Sequence, residues 1–367
     1  MSETPRRRAA AGSTALTPLA AALKAYYDTH PSLPDGIYIG LSAERYHADT
    51  ALGSSNIRDL LKGANLFWHK SPMNLKKKAD KSTPSKVLGN ATHKLLLEGR
   101  EAFDAIYVRG PYGEDDDLTP AEKSGLTKAA KAKLKEGQEM LAQADYDFVM
   151  GCKEVLDVDP ELKGCLDNAL TEVSIFWTRE DGVRCKVRLD ALKLRGIGDI
   201  KTIANERERE MDLACKLDIT TYRYDIPAAH YSEGRRQMKV LWQLGFVYFG
   251  EPDSSGAPVK VGAVGNRTDA ETKVMAFLQK CAEEKTFGFQ LVFIPKKGAP
   301  DAWSCTLSPG NPILSSAATD VSVAIDYFKM AIERYGIDKR WVPNREVEEL
   351  DIETMPTTFG RTVRRRG

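Results

Sequence analysis

Three polar side chains in the middle of the chain have the types and spacing needed to hold a metal ion. Asp190 precedes Asp199 and Lys201 in the segment RLDALKLRGIGDIKT, residues 188–202. Alternate residues of a strand point to the same face, so Asp199 and Lys201 project together, and Asp190 lies beside them if the two strands pair. Converging carboxylates repel each other unless a cation lies between them. Oxygen ligands without cysteine favour Mg²⁺ or Mn²⁺, and the lysine can orient a water molecule or stabilise charge on a phosphate.

The same spacing also fits a simpler interpretation, because Asp-x-Lys occurs by chance as a surface ion pair on a strand. The context favours a functional role. Gly196 and Gly198 flank the motif and permit close backbone approach. A charged pair on an otherwise buried central strand also requires a physical reason.

Two further residues can belong to the same site. Glu172 begins the preceding strand and is either a solvent-facing glutamate or another carboxylate that supports the metal. His93 lies in VLGNATHKLLLEG, where Gly89 shares its helical face and leaves room for another element to approach. A single histidine is also often a satisfied structural residue, so both interpretations stay open.

The positions of apolar residues predict the elements that carry these side chains. TEVSIFWTRE alternates apolar and polar residues, and the following Asp-Gly pair indicates a hairpin turn. Helical spacing elsewhere predicts several long helices. The predicted strands are 171–180, 183–194, 196–203 and 287–295, with a strand or loop at 260–266. The predicted helices are 17–30, 52–62, 86–99, 119–143, 146–168, 220–244, 269–285 and 318–335.

These elements indicate an α/β fold with a small mixed sheet flanked by helices and with added N-terminal helices. We expect a disordered basic arm at 1–16, one domain over 17–345 and a basic tail at 346–367. Within the domain, a helical part extends to about residue 168, a catalytic core covers 169–300, and a helix at 318–335 ends it.

Composition excludes several classes of protein. The six cysteines are scattered without a C-x-x-C pair, which argues for reduced thiols and against a zinc knuckle or an iron–sulfur cluster. No stretch reaches the ~20 apolar residues of a membrane span, and no secretory signal is evident, so we expect a cytoplasmic protein. The net charge of +1 does not by itself indicate a nucleic-acid partner, although lysines and arginines cluster locally.

Taken together, the ordered motifs resemble the RecE-like branch of the PD-(D/E)XK superfamily, the exodeoxyribonuclease VIII type common in phages and prophages. The resemblance covers about residues 40–300. The segments that carry it are YHADTALGSSNIRDLLKGANLFWHKSP (46–72), LGNATHKLLLEG (88–99), TEVSIFW (171–177), VRLDAL followed by GDIKT (187–202), YDIPAAHYSEG (224–234) and LVFIPKK (291–297).

This resemblance implies a restriction-endonuclease-like core and a role for each matching residue. His93, Asp190, Asp199 and the carbonyl of Ile200 would bind the metal, Lys201 would be the catalytic lysine, and Glu172 would support the ions. Two Mg²⁺ or Mn²⁺ ions are implied. The residues placed by resemblance in the DNA-binding region are Ser54, Ser55, Arg58, Tyr224 and Tyr231.

The implied activity is metal-dependent 5′→3′ exonucleolytic hydrolysis of linear double-stranded DNA during recombination. The implied partners are DNA ends, a single-strand annealing protein and other copies of the chain in a ring, within a bacterial host cell. Pro227 departs from the pattern, since the family usually has a glutamine there. The alternatives are an endonuclease or other repair nuclease of the same fold, and an inactive DNA-binding relative.

Overall fold

The structure, a computed structural model, describes residues 16–78, 83–113, 116–250 and 268–342. The strands are β1 Gly36–Ile39, β2 Tyr107–Arg109, β3 Glu139–Leu141, β4 Leu170–Thr178, β5 Arg184–Lys193, β6 Gly196–Ile203, β7 Val247–Phe249, β8 Gly288–Pro295 and β9 Trp303–Leu307. The helices are α1 Pro18–Thr29, α2 Ala43–Ala48, α3 Ser54–Lys62, α4 Ala64–Lys70, α5 Pro84–Ile106, α6 Pro120–Lys131, α7 Gln143–Val158, α8 Pro160–Gly164, α9 Met211–Tyr222, α10 Asp225–Gln243, α11 Asp269–Glu283 and α12 Pro312–Tyr335. The predicted tail 346–367, the segment 260–266 and all of the predicted arm except residue 16 lie outside the described residues.

Within the described ranges, seven strands form the central sheet, in the order β7-β1-β4-β5-β6-β8-β9. Strands β4, β5 and β6 follow one another as an antiparallel meander, whereas β6 pairs with β8 in parallel. The sheet is therefore mixed, and the predicted α/β class with flanking helices is confirmed. The strands β2 and β3 form a separate two-stranded sheet.

Both faces of the sheet are covered, because alternate residues of its central strands enter different apolar clusters. On β8, Leu291 and Phe293 pack into the main core, whereas Val292 and Ile294 pack into a second cluster on the other side. Helices α3, α4, α10, α11 and α12 supply the main core. Helices α7 and α8 supply the second cluster, and α5 and α7 continue it in a third.

Several boundaries differ from the predictions. The predicted helix 220–244 is interrupted at Arg223, whose left-handed φ of 53° ends α9, and α10 begins at Asp225. The predicted helix 119–143 is wrong over its second half, because Glu139–Leu141 pairs with β2 as strand β3. The helix predicted at 86–99 is longer, and its helical geometry is broken at Gly99.

The N-terminal part predicted to be helical also contributes to the central sheet. Strand β1 pairs antiparallel with β4 and parallel with β7. Strands β1 and β7 have only four and three residues, which is too short for a clear alternating pattern. No helix in the described part of the chain is both long and apolar enough to cross a bilayer.

Candidate metal centre

Strands β5 and β6 separate at the position of the two predicted aspartates. Their last paired residues in this direction are Ala191 and Gly198, so the next step of the register would bring Asp190 opposite Asp199. The backbone ladder does not continue there. Instead, the Asp190 carboxylate accepts a hydrogen bond of 2.8 Å from the Ile200 amide. The side chain thus replaces a backbone partner and is fixed at the point where the strands diverge.

The backbone beside this point is closely packed. A Cβ atom on Gly198 would lie 2.7 Å from the carbonyl oxygen of Cys165, so no larger residue fits without movement. Because residue 198 is a glycine, the turn after α8 packs directly against β6. This is the close backbone approach that the sequence analysis predicted for the glycines of this segment. This contact holds the beginning of the Asp199 segment in place.

Asp199 is a buried carboxylate whose hydrogen-bonding capacity is only partly used. The residue is 1% exposed, and its Oδ1 atom has no hydrogen-bond partner among the described residues, whereas the Lys201 ammonium contacts Oδ2. Burial raises its pKa to about 6, against the opposing effect of Lys201. Such a group is costly to bury in its ionised form unless a cation compensates it.

Glu172 lies on β4 opposite Asp190, at an interruption of the ladder. The pairs on either side are Thr171 with Ala191 and Val173 with Leu189. The backbone of Glu172 has a φ of 58°, a left-handed conformation that costs a non-glycine residue on the order of 1–3 kcal/mol. Strain of this kind persists only where surrounding contacts enforce it, and it orients the Glu172 carboxylate toward the separation of β5 and β6.

Helix α5 brings a histidine to the same place. His93 Nδ1 lies 3.7 Å from Asp190 Oδ2, and the ring is also close to the Ile200 backbone. Burial, assisted by the Lys201 ammonium, lowers the pKa of His93, which favours the neutral imidazole that metals bind. A Cβ on Gly89 would contact the Thr202 hydroxyl at 3.5 Å, so this glycine lies where α5 meets β6.

The donor atoms converge as a metal site requires. One ligand atom each from His93, Glu172 and Asp190 lies within 4.8 Å of the other two. The Ile200 carbonyl faces the same region, 3.3 Å from the Lys201 ammonium. Asp199 lies outside the three-residue group but close enough that Asp190 raises its pKa. A set of carboxylate and carbonyl oxygens with one imidazole, together with the buried Asp199 Oδ1 that lacks a partner in the described part of the chain, fits a hard divalent cation such as Mg²⁺ or Mn²⁺.

Residues 53–250 match the family described as PDDEXK-like domain of unknown function (DUF3799). The match covers more than half of the 367 residues. The chain belongs to this family. The matched region contains all the proposed metal ligands, and membership supports the PD-(D/E)XK superfamily predicted from the sequence, whose nucleases typically use divalent metals.

Other comparisons add little to the family assignment. A crystal structure of a protein from Eubacterium rectale named "Putative exonuclease" has a TM-score of 0.46 and 12% sequence identity to this chain. The superposition covers 85% of this chain and 96% of that one. This TM-score is too low for the likeness to support a conclusion about the present chain. None of the curated proteins matches the chain.

The side chains proposed for DNA binding lie on α3 and at α10, beside the candidate metal centre of the PDDEXK-like domain. Tyr231 forms a side-chain hydrogen bond with Ser54, and its pKa is raised well above its ordinary value by burial and by Asp199. Lys201 Nζ lies 5.6 Å from the centre of the Tyr224 ring. Arg58 donates to the Tyr222 carbonyl at 2.9 Å.

The remaining two residues of this region have simpler environments. Ser55 is exposed on α3. Pro227 lies in the first turn of α10, where a proline costs little because the first amides of a helix have no intrahelical partner. The tyrosines before and after it therefore keep their places near the metal centre.

Two arginines that the sequence analysis did not single out contact the strands that carry the candidate site. Arg188 on β5 contacts the Glu172 carboxylate. Arg235 on α10 is buried and donates to the carbonyls of Leu194 and Gly196, at both ends of the β5–β6 turn. Its guanidinium also lies 4.1 Å from the Phe287 ring centre. The sequence places Arg188 two residues before Asp190. Only the pairing of β5 with β4 brings the arginine into contact with Glu172.

Proposed function

We propose that the chain is a divalent-metal-dependent nuclease that hydrolyses phosphodiester bonds of DNA. The observation that carries this proposal is the convergence of two carboxylates and a histidine beside a lysine, next to the buried Asp199, whose Oδ1 atom lacks a hydrogen-bond partner within the described ranges. An ordinary surface ion pair would be exposed and satisfied by water. Burial without such partners is instead typical of a site completed by a cation.

The residues divide into metal ligands and a residue that acts on water or phosphate. His93, Asp190, Asp199 and the Ile200 carbonyl are the proposed ligands, with Glu172 as a further carboxylate. A bound divalent cation would lower the pKa of a water molecule and stabilise charge on the phosphate, and two ions would act on both sides of the bond. The Lys201 ammonium lies between Asp199 and the Ile200 carbonyl, where it can orient the attacking water and offset developing negative charge.

The proposed substrate is linear double-stranded DNA, degraded from its ends in the 5′→3′ direction. The support comes from the group on the α10 side, where Arg58 and Ser54 adjoin the tyrosines. The Arg58 guanidinium is half-buried and donates to the Tyr222 carbonyl at 2.9 Å, so it places a positive charge beside the tyrosines, where it can attract a phosphate. Tyr222 and Tyr224 stack with ring centres 5.8 Å apart beside the lysine and offer an aromatic face to a base.

We further propose a role in DNA recombination in a bacterial cell, with a single-strand annealing protein as partner and a ring of identical subunits around the duplex. A ring retains DNA topologically and does not need a strongly basic surface. The net charge of +1 is compatible with that arrangement.

Digestion of a 5′-phosphorylated linear duplex tests the proposal. The wild-type chain should release nucleotides with Mg²⁺ or Mn²⁺, and EDTA should stop the reaction. Asp199→Ala should abolish it while leaving the circular dichroism spectrum unchanged, whereas Asp212→Ala, an exposed aspartate on α9, should digest normally.

The same assay separates the alternatives. Covalently closed circular DNA should resist an enzyme that requires ends, so cleavage of circles would indicate an endonuclease. DNA binding without turnover under any divalent metal would indicate an inactive relative. Undiminished digestion by the Asp199 variant would refute the proposed centre.

A further inference from the structure

Two neighbours compete for the Glu172 carboxylate. One is the metal centre, since a carboxylate oxygen lies within 4.8 Å of the ligand atoms of His93 and Asp190. The other is the Arg188 guanidinium, which contacts Glu172 Oε2 directly. A carboxylate oxygen engaged by a guanidinium is a poorer ligand for a cation, so the two contacts oppose each other.

The arginine is the more firmly held partner of the pair. Arg188 Nη1 donates to the Leu41 carbonyl at 2.7 Å and reaches the Ser174 hydroxyl at 3.4 Å. Its guanidinium lies 6.0 Å from the centre of the Tyr46 ring. These contacts come from three different segments, so a change of partner requires movement of Glu172 and leaves the arginine in place.

We propose that Arg188 is a positioning residue that sets the divalent-cation affinity of the centre by competing for Glu172. The inference rests on the proposed metal centre and extends it to a residue outside the ligand set. Arginine stays protonated at all ordinary pH values, so the competition is present throughout the working range. The guanidinium weakens cation binding in two ways: it occupies a ligand, and it adds a positive charge beside the ion.

Calorimetric titration of the full chain with Mn²⁺ tests this competition without measuring activity. Arg188→Gln should lower the Kd for Mn²⁺ by about tenfold, because a ligand is released and a nearby positive charge is removed. Glu172→Gln should raise the Kd. In the Glu172→Gln background, Arg188→Gln should lower the Kd by a smaller factor, since only the removal of the positive charge remains.

A matched control is Arg179→Gln, which removes a guanidinium at the other end of the β4–β5 hairpin, where it pairs with Asp181. This variant should bind Mn²⁺ as the wild type does. Arg188→Lys keeps the charge but loses the planar fork, so its Kd should lie between those of the wild type and Arg188→Gln. The lysine variant decides the question if the glutamine variant fails to fold.

The outcomes separate this inference from the proposed function. Absence of Mn²⁺ binding by the wild type would defeat the metal centre and this inference with it. Wild-type binding with an unchanged or higher Kd in folded Arg188→Gln, or in Arg188→Lys where only that variant folds, would defeat the competition alone. An equal decrease in the Glu172→Gln background would also overturn it, because the arginine would then act only through its long-range charge.

Discussion

Strand β5 carries two buried polar groups that differ in how completely their charges are paired. In its first half, Lys186 is 4% exposed and donates to the carbonyls of Tyr46 and Asp49, each at 2.7 Å. The Asp49 carboxylate accepts hydrogen bonds from two backbone amides, those of Leu33 and Ala51. This group ties the segment before α3 to the sheet.

In the second half of β5, the charged groups have protein partners for only some of their polar atoms. Asp190 receives one backbone amide, and the neighbouring Asp199 has the Lys201 ammonium at Oδ2 but no hydrogen-bond partner at Oδ1 among the described residues. Burial alone therefore does not distinguish structure from function on this strand. The distinguishing property is how the buried carboxylates are paired: Asp49 accepts two backbone amides, whereas Asp199 Oδ1 has no hydrogen-bond partner among the described residues. An unsatisfied buried carboxylate oxygen costs free energy unless a ligand compensates it.

The largest expected difference between the two groups is in catalysis. Lys201→Ala should reduce kcat for duplex digestion by about 10³-fold or more, because it removes the cation beside the reacting groups. Lys186→Met should change kcat by less than about tenfold per folded molecule. Rates measured at saturating DNA, with Lys216→Ala on exposed α9 as control, check both. Equal losses of kcat in Lys201→Ala and Lys186→Met would contradict the assignment of one group to catalysis and the other to structure.

For the free energy of unfolding, we expect a large effect from the first group. Lys186→Met should lower the free energy of unfolding by about 2–4 kcal/mol, because it leaves two buried carbonyls without their donor. Lys216→Met, at a side chain 62% exposed, should change it by less than about 0.5 kcal/mol. Urea denaturation measures both, and equal midpoints would show that the Lys186 contacts contribute nothing to the fold.

Metal binding should affect only the second group. Mn²⁺ at one hundred times its Kd should stabilise the wild-type chain by about 2.7 kcal/mol. Lys186→Met should gain as much on metal addition, whereas Asp190→Asn should gain little because a ligand is lost. Thermal unfolding with and without Mn²⁺ tests this, and a full gain in Asp190→Asn would place the ion elsewhere.

The smallest expected effect is the pH dependence of the metal-free chain. Burial raises the pKa of both Asp190 and Asp199 to about 6 from an ordinary 3.8, so the folded state binds protons more tightly than the unfolded one. The resulting stabilisation is complete below pH ~4 and is lost as the pH rises through about 6.

In EDTA, the wild-type free energy of unfolding should therefore fall by an amount on the order of 1 kcal/mol between about pH 4 and pH 7, relative to Asp199→Asn. Parallel pH profiles for the wild type and Asp199→Asn would contradict this expectation. Mn²⁺ should reverse the trend above about pH 6, because the ion binds the ionised carboxylates.

Local patterns predicted some elements well. The bounds of β6 agree with the prediction at 196–203, because Gly196 and the turn before it mark the start of a short strand. The start of α10 at Asp225 also agrees with the tolerance of Pro227 in a first turn. Short strands such as β1 and the break at Arg223 were missed, since pairing and ion pairs with Asp225 and Asp320 decide them.

The residue sequence by itself determined the chemistry available to this protein: hard oxygen donors, one imidazole and a lysine, on strands whose order the apolar pattern indicates. Tertiary structure decided which of these groups meet, because His93 and Asp190 are far apart in the chain and come within 3.7 Å only when α5 packs on the sheet. It also decided the left-handed turn of Glu172 and its contact with Arg188, which no local propensity favours. The physical reason is that propensities act over neighbouring residues, whereas burial and partnership of charges depend on the whole packed chain.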